Sequence, residues 1–243
     1  TLCIPASMIL SYQIKKTNLY LYSGFLVSLN IFLIWQSQEV RLASFALMMS
    51  LINISLFIKI FSNKFTTKIF FVSFIYLLSI VLLLSTFPFT IAIIAAQVAY
   101  VFHRYLFIKQ NKLWLLLIIL ISIIIYLFLN YEYFFHSIQI DDHHATTDIT
   151  FYANYHFRTF FGSIFLGAVY LILILFLLIK FNKKIFRDNN LIFLIYIIFF
   201  SYFLPILYTL IKAPVMAPRY VIWLVPIILI WIVHVIDNYQ NIN

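Results

Sequence analysis

The sequence predicts an all-α fold, a polytopic transmembrane helical bundle of about eight or nine spans with one outer-face loop of roughly 29 residues. Three observations lead there. Hydrophobic residues make up 65% of the chain and charged residues only 9%, against about a quarter charged in an ordinary soluble domain. Apolar runs near bilayer-crossing length recur from one end of the sequence to the other. The Lys and Arg residues sit between those runs and alternate between abundant and scarce from one connection to the next.

Nine apolar segments can be marked, at 1 to 14, 19 to 35, 42 to 60, 69 to 86, 91 to 107, 113 to 130, 160 to 179, 191 to 211 and 220 to 236. They lack the period-two alternation of a membrane barrel strand, so helices are expected. Because the runs succeed one another without a soluble interlude, residues 1–243 read as a single transmembrane domain. The chain opens Thr1-Leu2-Cys3-Ile4-Pro5 without a basic-then-apolar leader, and is expected to be the later part of a longer polypeptide.

A net charge of +9 raises the question of nucleic acid, but the cations form no continuous face and read as topology signals. Of the sixteen, twelve fall on one side: Lys15, Lys16, Lys59, Lys64, Lys68, Arg104, Lys109, Lys112, Lys180, Lys183, Lys184 and Arg187. Arg41, Arg158, Lys212 and Arg219 fall on the other. Cytoplasmic loops retain Lys and Arg, so the richer side and the C-terminus are expected in the cytoplasm. Glu39, Glu132, Asp141, Asp142 and Asp148 gather on the opposite, outer side, where chemistry is therefore sought. The single cysteine, Cys3, excludes an intrachain disulfide and reads as a small buried hydrophobe.

Three outer constellations stand out. In Ser37-Gln38-Glu39-Val40-Arg41 a tight turn holds charge at the membrane surface. Glu39 suits the start of the next helix, whereas Arg41 opposes the helix dipole and needs an anion. Glu39, a ligand phosphate or lipid headgroups would each serve. In Lys212-Ala213-Pro214-Val215-Met216-Ala217-Pro218-Arg219-Tyr220, Pro218 is expected in the first turn of the last helix. Arg219 would then combine with free backbone N–H groups as a phosphate site, with Lys212 as a second cation. The alternative is a headgroup anchor, with Tyr220 and Trp223 in an interfacial aromatic belt. The third is the connection from Tyr131 to Thr159, which contains His136, Asp141, Asp142, His143, His144, Asp148, His156 and Arg158. A divalent metal is one use for such a set, but the spacing matches no closed zinc pattern, so a solvated loop and no cofactor are expected. From Thr147 onward, interleaved Tyr152, Tyr155, Phe157 and Phe160 predict a short surface helix.

The first two constellations together resemble membrane glycosyltransferases of the GT-C class, in the bacterial group related to protein O-mannosyltransferases and aminoarabinose transferases. The match rests on Ser37-Gln38-Glu39-x-Arg41 at an outer hairpin, and on Pro214, Arg219-Tyr220 and Pro226 late in the chain. The Leu2 to Ser7 stretch resembles the segment preceding the first motif. The resemblance implies transfer of a sugar from a polyprenyl-phosphate donor to an acceptor at the outer face. It implies donor-phosphate contacts from Arg41, Arg219, Tyr220 and Lys212, and an assisting catalytic role for Glu39. The family's principal acid would lie before Thr1. The competing classes are a lipid-linked polysaccharide ligase or polymerase, and a transporter or flippase; scarce midspan charge weighs against the last. The acceptor and the sugar are not specified by these residues.

Overall fold

The computed structural model describes residues 2–38, 42–63, 66–132, 159–185, 188–211 and 218–240. All regular structure among them is helical: α1 Cys3–Ile14, α2 Leu19–Leu29, α3 Ile31–Gln38, α4 Leu42–Ser62, α5 Thr67–Thr86, α6 Ile91–Ile108, α7 Trp114–Leu129, α8 Ile164–Ile185, α9 Asn189–Ile211 and α10 Leu224–Gln240. Short 3-10 turns at Pro88–Thr90 and Pro218–Val221 precede α6 and α10. Four helical stretches are long and apolar enough to cross a membrane: α4, α5, Pro88–Ile108 and the Asn189–Tyr208 part of α9. A fifth arises if α2 and α3 are one span bent by 64°. Four further apolar helices, Cys3–Ile14, Trp114–Leu129, Ile164–Lys180 and Leu224–Asp237, are shorter.

The expected segment 19 to 35 is the one that departs most from a straight span, and Asn30 is the reason. Its Oδ1 accepts from the Leu33 N–H at 3.0 Å, capping α3, while its Nδ2 donates to the Phe160 carbonyl at 2.8 Å. A side chain that offers backbone groups a local partner competes with helix continuation. The Phe32 and Phe160 rings meet at 5.5 Å, and Gly162 takes the positive φ of 81° that turns the chain into α8.

Contacts between connections sort into two groups. Lys15 pairs with Asp237, Asn190 donates to the Ile14 carbonyl, Arg104 to Asn189, and Lys112 to the Asn63 carbonyl. Burial lowers the affinity of the Lys112 ammonium for its proton. Separately, Asn130 meets Ser85, Ser44 meets the Gln36 carbonyl, and Asn30 meets Phe160. Each contact joins residues at or near helix ends.

With lipid on the outside, helix association depends on close packing and interhelical hydrogen bonds more than on burial from water. Both are present. Gly24 lets α1 and α2 approach until a Cβ there would stand 2.6 Å from Met8 Cγ. Between α4, α5 and α6, Tyr76 OH donates to Gln97 Oε1 at 2.6 Å, Gln97 Nε2 to Asn53 Oδ1 at 2.7 Å, and Asn53 Nδ2 to Ser79 Oγ at 2.9 Å. All four side chains are buried. Beside them Phe57, Tyr100 and Phe193 interlock, with ring centroids 4.6 to 6.3 Å apart.

Candidate functional site

The last three residues of the late motif, Pro218, Arg219 and Tyr220, are described. Pro218–Val221 is a 3-10 turn, and its Arg219 and Tyr220 side chains are half-buried. The chain beyond them is locked down: Val221, Ile222, Trp223 and Leu224 are fully buried, and Trp223 Nε1 donates to Ser201 Oγ on α9 at 2.9 Å. The turn is therefore fixed against the bundle while its two polar side chains sit at the margin.

Tyr220 lies on an aromatic shelf made by the α5–α6 connection. Its ring stacks on Phe89 at 4.4 Å with planes 13° apart, and tilts against Phe87 at 5.7 Å. Phe87 ends α5, Pro88 opens the 3-10 turn, and buried Thr90 donates its hydroxyl to the Phe87 carbonyl at 2.6 Å. On the tyrosine, the Arg219 guanidinium carbon stands 5.2 Å from the ring centroid and Nη2 reaches the phenol oxygen at 3.4 Å. A guanidinium seated on a ring is oriented by it, and its planar fork of N–H groups matches a phosphate.

One expectation is corrected. Pro218 does not open the last α-helix, so Arg219 does not stand at its N-terminus. The α-helix begins at Leu224, and the first backbone bond of its ladder runs from Ile227 N–H to the Trp223 carbonyl at 3.3 Å. The physical reason is Pro226. A helix begun at Pro218 would place that proline in its interior, where it lacks the N–H for its ladder bond; with the start at Leu224 it falls in the first turn, where no such bond is owed. The backbone N–H groups of an α-helix end are therefore not available beside Arg219.

The other sequence-predicted positions are less fully placed. Glu39, Arg41 and Lys212 lie outside the described residues, as does everything from 133 to 158, including the His and Asp cluster and most of the expected surface helix. The flanks of the first motif are visible. α3 ends at Gln38, α4 starts at Leu42, and the Ser44 hydroxyl donates to the Gln36 carbonyl at 2.8 Å. Cys3 points its thiol to the Ser44 carbonyl at 3.5 Å, so the opening segment packs against the hairpin that comes after it in the resemblance. Among the described residues no three His, Cys, Asp or Glu side chains come together as a metal site.

Sequence reasoning missed Phe87 and Phe89. A signal existed in Phe87-Pro88-Phe89, a proline-centred aromatic pair between two apolar runs. Searches against protein-family models, curated proteins and solved structures find no match to this chain.

Proposed function

We propose that this chain is a membrane glycosyltransferase, or a portion of one, that transfers a sugar from a polyprenyl-phosphate-linked donor to an acceptor at the outer membrane face. The supporting observation is the Arg219–Tyr220 pair seated on Phe87 and Phe89, a fixed cation with an apolar flank. A lipid phosphate demands that combination: charge-assisted hydrogen bonds for the head and apolar surface for the chain. In the reaction the glycosyl–phosphate bond breaks, and negative charge collects on the departing phosphate. Arg219, with Arg41 and Lys212, stabilises it, while Glu39 assists in orienting or deprotonating the acceptor hydroxyl. The reaction so drawn calls for no metal or cofactor.

On this reading residues 1–243 form one membrane domain of eight or nine spans in a bacterial inner membrane, with lipids as the surrounding partner and the C-terminus in the cytoplasm. The shorter helices complete their crossings with flanking turns, as Pro218–Val221 does ahead of α10. The second reading is a transporter or flippase, favoured by the 64° break between α2 and α3, since broken helices line substrate paths in such proteins. A lipid-linked polysaccharide ligase or polymerase shares the outer-face arginines, but the Ser37 to Arg41 hairpin weighs against it.

The experiment tracks a radiolabelled polyprenyl-phosphate sugar in sealed vesicles carrying the full-length gene product, with R219A, R219K and E39Q at matched expression. Removing the Arg219 contact costs about 1.5 to 3 kcal/mol, on the order of ten- to hundredfold in donor affinity, and Lys restores part of it. E39Q lowers turnover more than donor binding. Label that crosses the membrane without joining an acceptor selects the transporter; R219A equal to wild type in binding and transfer makes Arg219 a headgroup anchor.

A further inference from the structure

At the end of the bundle away from Tyr220, α6 stops on a buried cation. Arg104 stands one turn before the end of the helix and is 5% exposed. Lys109 takes the left-handed conformation, φ 55°, that ends α6, and the Gln110 N–H turns back to the Arg104 carbonyl at 3.1 Å. That turn brings the Gln110 side chain against the guanidinium, where its Oε1 accepts from Nε at 3.2 Å and from Nη2 at 3.0 Å. Nη1 donates to Asn189 Oδ1 at the start of α9.

All three contacts go to neutral carboxamides. A guanidinium does not escape burial by shedding its proton, and a buried charge needs a counter-charge. Arg104 makes no ion pair among the described residues. Asp and Glu together number seven in the chain. Five of them belong to the connections at the far ends of α4 and α7. Asp237 pairs with Lys15. Asp188 Oδ1 accepts from the N–H groups of Asn190 and Leu191 at 2.9 and 3.3 Å, which holds it on the first turn of α9 and out of ion-pair reach of Arg104. The carbonyl end of α6 supplies only about half an elementary charge. Lys109 and Lys112 follow in the same connection and enlarge the positive excess.

A guanidinium has five N–H donors, so the three bonds leave one N–H on each terminal nitrogen, a pair suited to two phosphate oxygens. Access is from the connection after α6, which is exposed at Lys109 and Asn111. Beside it the last turn of α6 exposes Tyr105, Leu106, Phe107 and Ile108. On a helix long and apolar enough to cross a membrane, that surface suits acyl chains. We propose that Arg104 is the centre of a phospholipid site. Its guanidinium binds the phosphate, Lys109 and Lys112 favour a headgroup of net negative charge, and the acyl chains lie along the last turn of α6. The lipid supplies the counter-charge that the chain does not. This inference is independent of the sugar-transfer reading, since it concerns the other end of the bundle.

The test is native mass spectrometry of the full chain, purified in detergent, stripped of lipid and titrated with phosphatidylglycerol, with phosphatidylcholine and with inorganic phosphate. Saturable binding of phosphatidylglycerol is expected, tighter than that of phosphatidylcholine and not matched by inorganic phosphate. R104Q weakens it on the order of tenfold or more. The deciding variant is Q110E, which sets a carboxylate against Nε and Nη2 of the guanidinium. It raises the thermal unfolding midpoint of the lipid-free protein and weakens phosphatidylglycerol binding by a similar factor, and it carries the test if R104Q does not fold. Unchanged phosphatidylglycerol binding in Q110E, or a Q110E protein less stable than wild type, overturns the uncompensated cation. Inorganic phosphate bound as tightly as the lipid, or phosphatidylcholine as tightly as phosphatidylglycerol, overturns the phospholipid site.

Discussion

Replacing Gln97 with Leu tests whether buried hydrogen bonds hold the centre of this bundle together. Gln97 is fully buried on α6, accepts from Tyr76 of α5 at 2.6 Å and donates to Asn53 of α4 at 2.7 Å. Leu fills most of the volume but leaves the Tyr76 hydroxyl without an acceptor and Asn53 Oδ1 without a donor. Interhelical bonds within membranes average about 0.6 kcal/mol and reach roughly 1.7. Two lost bonds therefore amount to about 1 to 3 kcal/mol. Y76F removes one of them and should cost about 0.6 to 1.7 kcal/mol by the same rule. Because the two residues share a bond, Y76F/Q97L should cost less than the sum of the single variants, by about the value of that shared bond. The assay is reversible unfolding in mixed detergent–lipid micelles, monitored by circular dichroism and by the tryptophan signal. Q97L as stable as wild type, or strict additivity with Y76F, would refute a core tied by these bonds.

The geometry carries three further expected outcomes. A reporter fused after Lys184 should report cytoplasm and one inserted near His144 the outside, as the twelve-to-four split of cations requires, and reversed signals would overturn the sidedness of the Arg219 site and the Ser37 to Arg41 hairpin. N30A removes both the α3 cap and the bond to the Phe160 carbonyl, so it should destabilise by about 1 to 2 kcal/mol and raise protease cleavage near 160; an unchanged cleavage pattern would mean that packing alone sets the bend. Y220L removes the ring that seats Arg219 and should weaken donor binding by about three- to tenfold while leaving the fold intact, whereas Y220F keeps the ring and should bind nearly as wild type.

The helix positions were legible because long apolar runs bounded by basic residues have one physical solution in a bilayer. Details that depend on single polar residues were not. Nothing in the apolar stretch from Leu19 to Trp35 distinguishes Asn30 as a break from Asn53 as an interhelical tie, since the difference lies in which partner each meets across the bundle. Pro226 was readable as a marker of the last helix's first turn, but Pro218 competes for that role in sequence, and the ladder bond that Pro226 could not make inside a longer helix decides between them. Arg219 and Tyr220 were singled out from local sequence and resemblance, and their mutual contact follows from their being neighbours in the chain. Their shelf was not legible, because Phe87 and Phe89 lie some 130 residues earlier and come alongside only through the packing of two 3-10 turns.

If the outer face of this protein receives a lipid-linked phosphate at Arg219, a polyprenyl monophosphate should bind the purified protein in nanodiscs even in competition with an anionic phospholipid. Native mass spectrometry reads both lipids at once. Saturable binding is expected, displaced poorly by the phospholipid and weakened by R219A on the order of ten- to hundredfold. Equal binding of the two lipids, or polyprenyl phosphate binding unchanged in R219A, would contradict a donor site at Arg219.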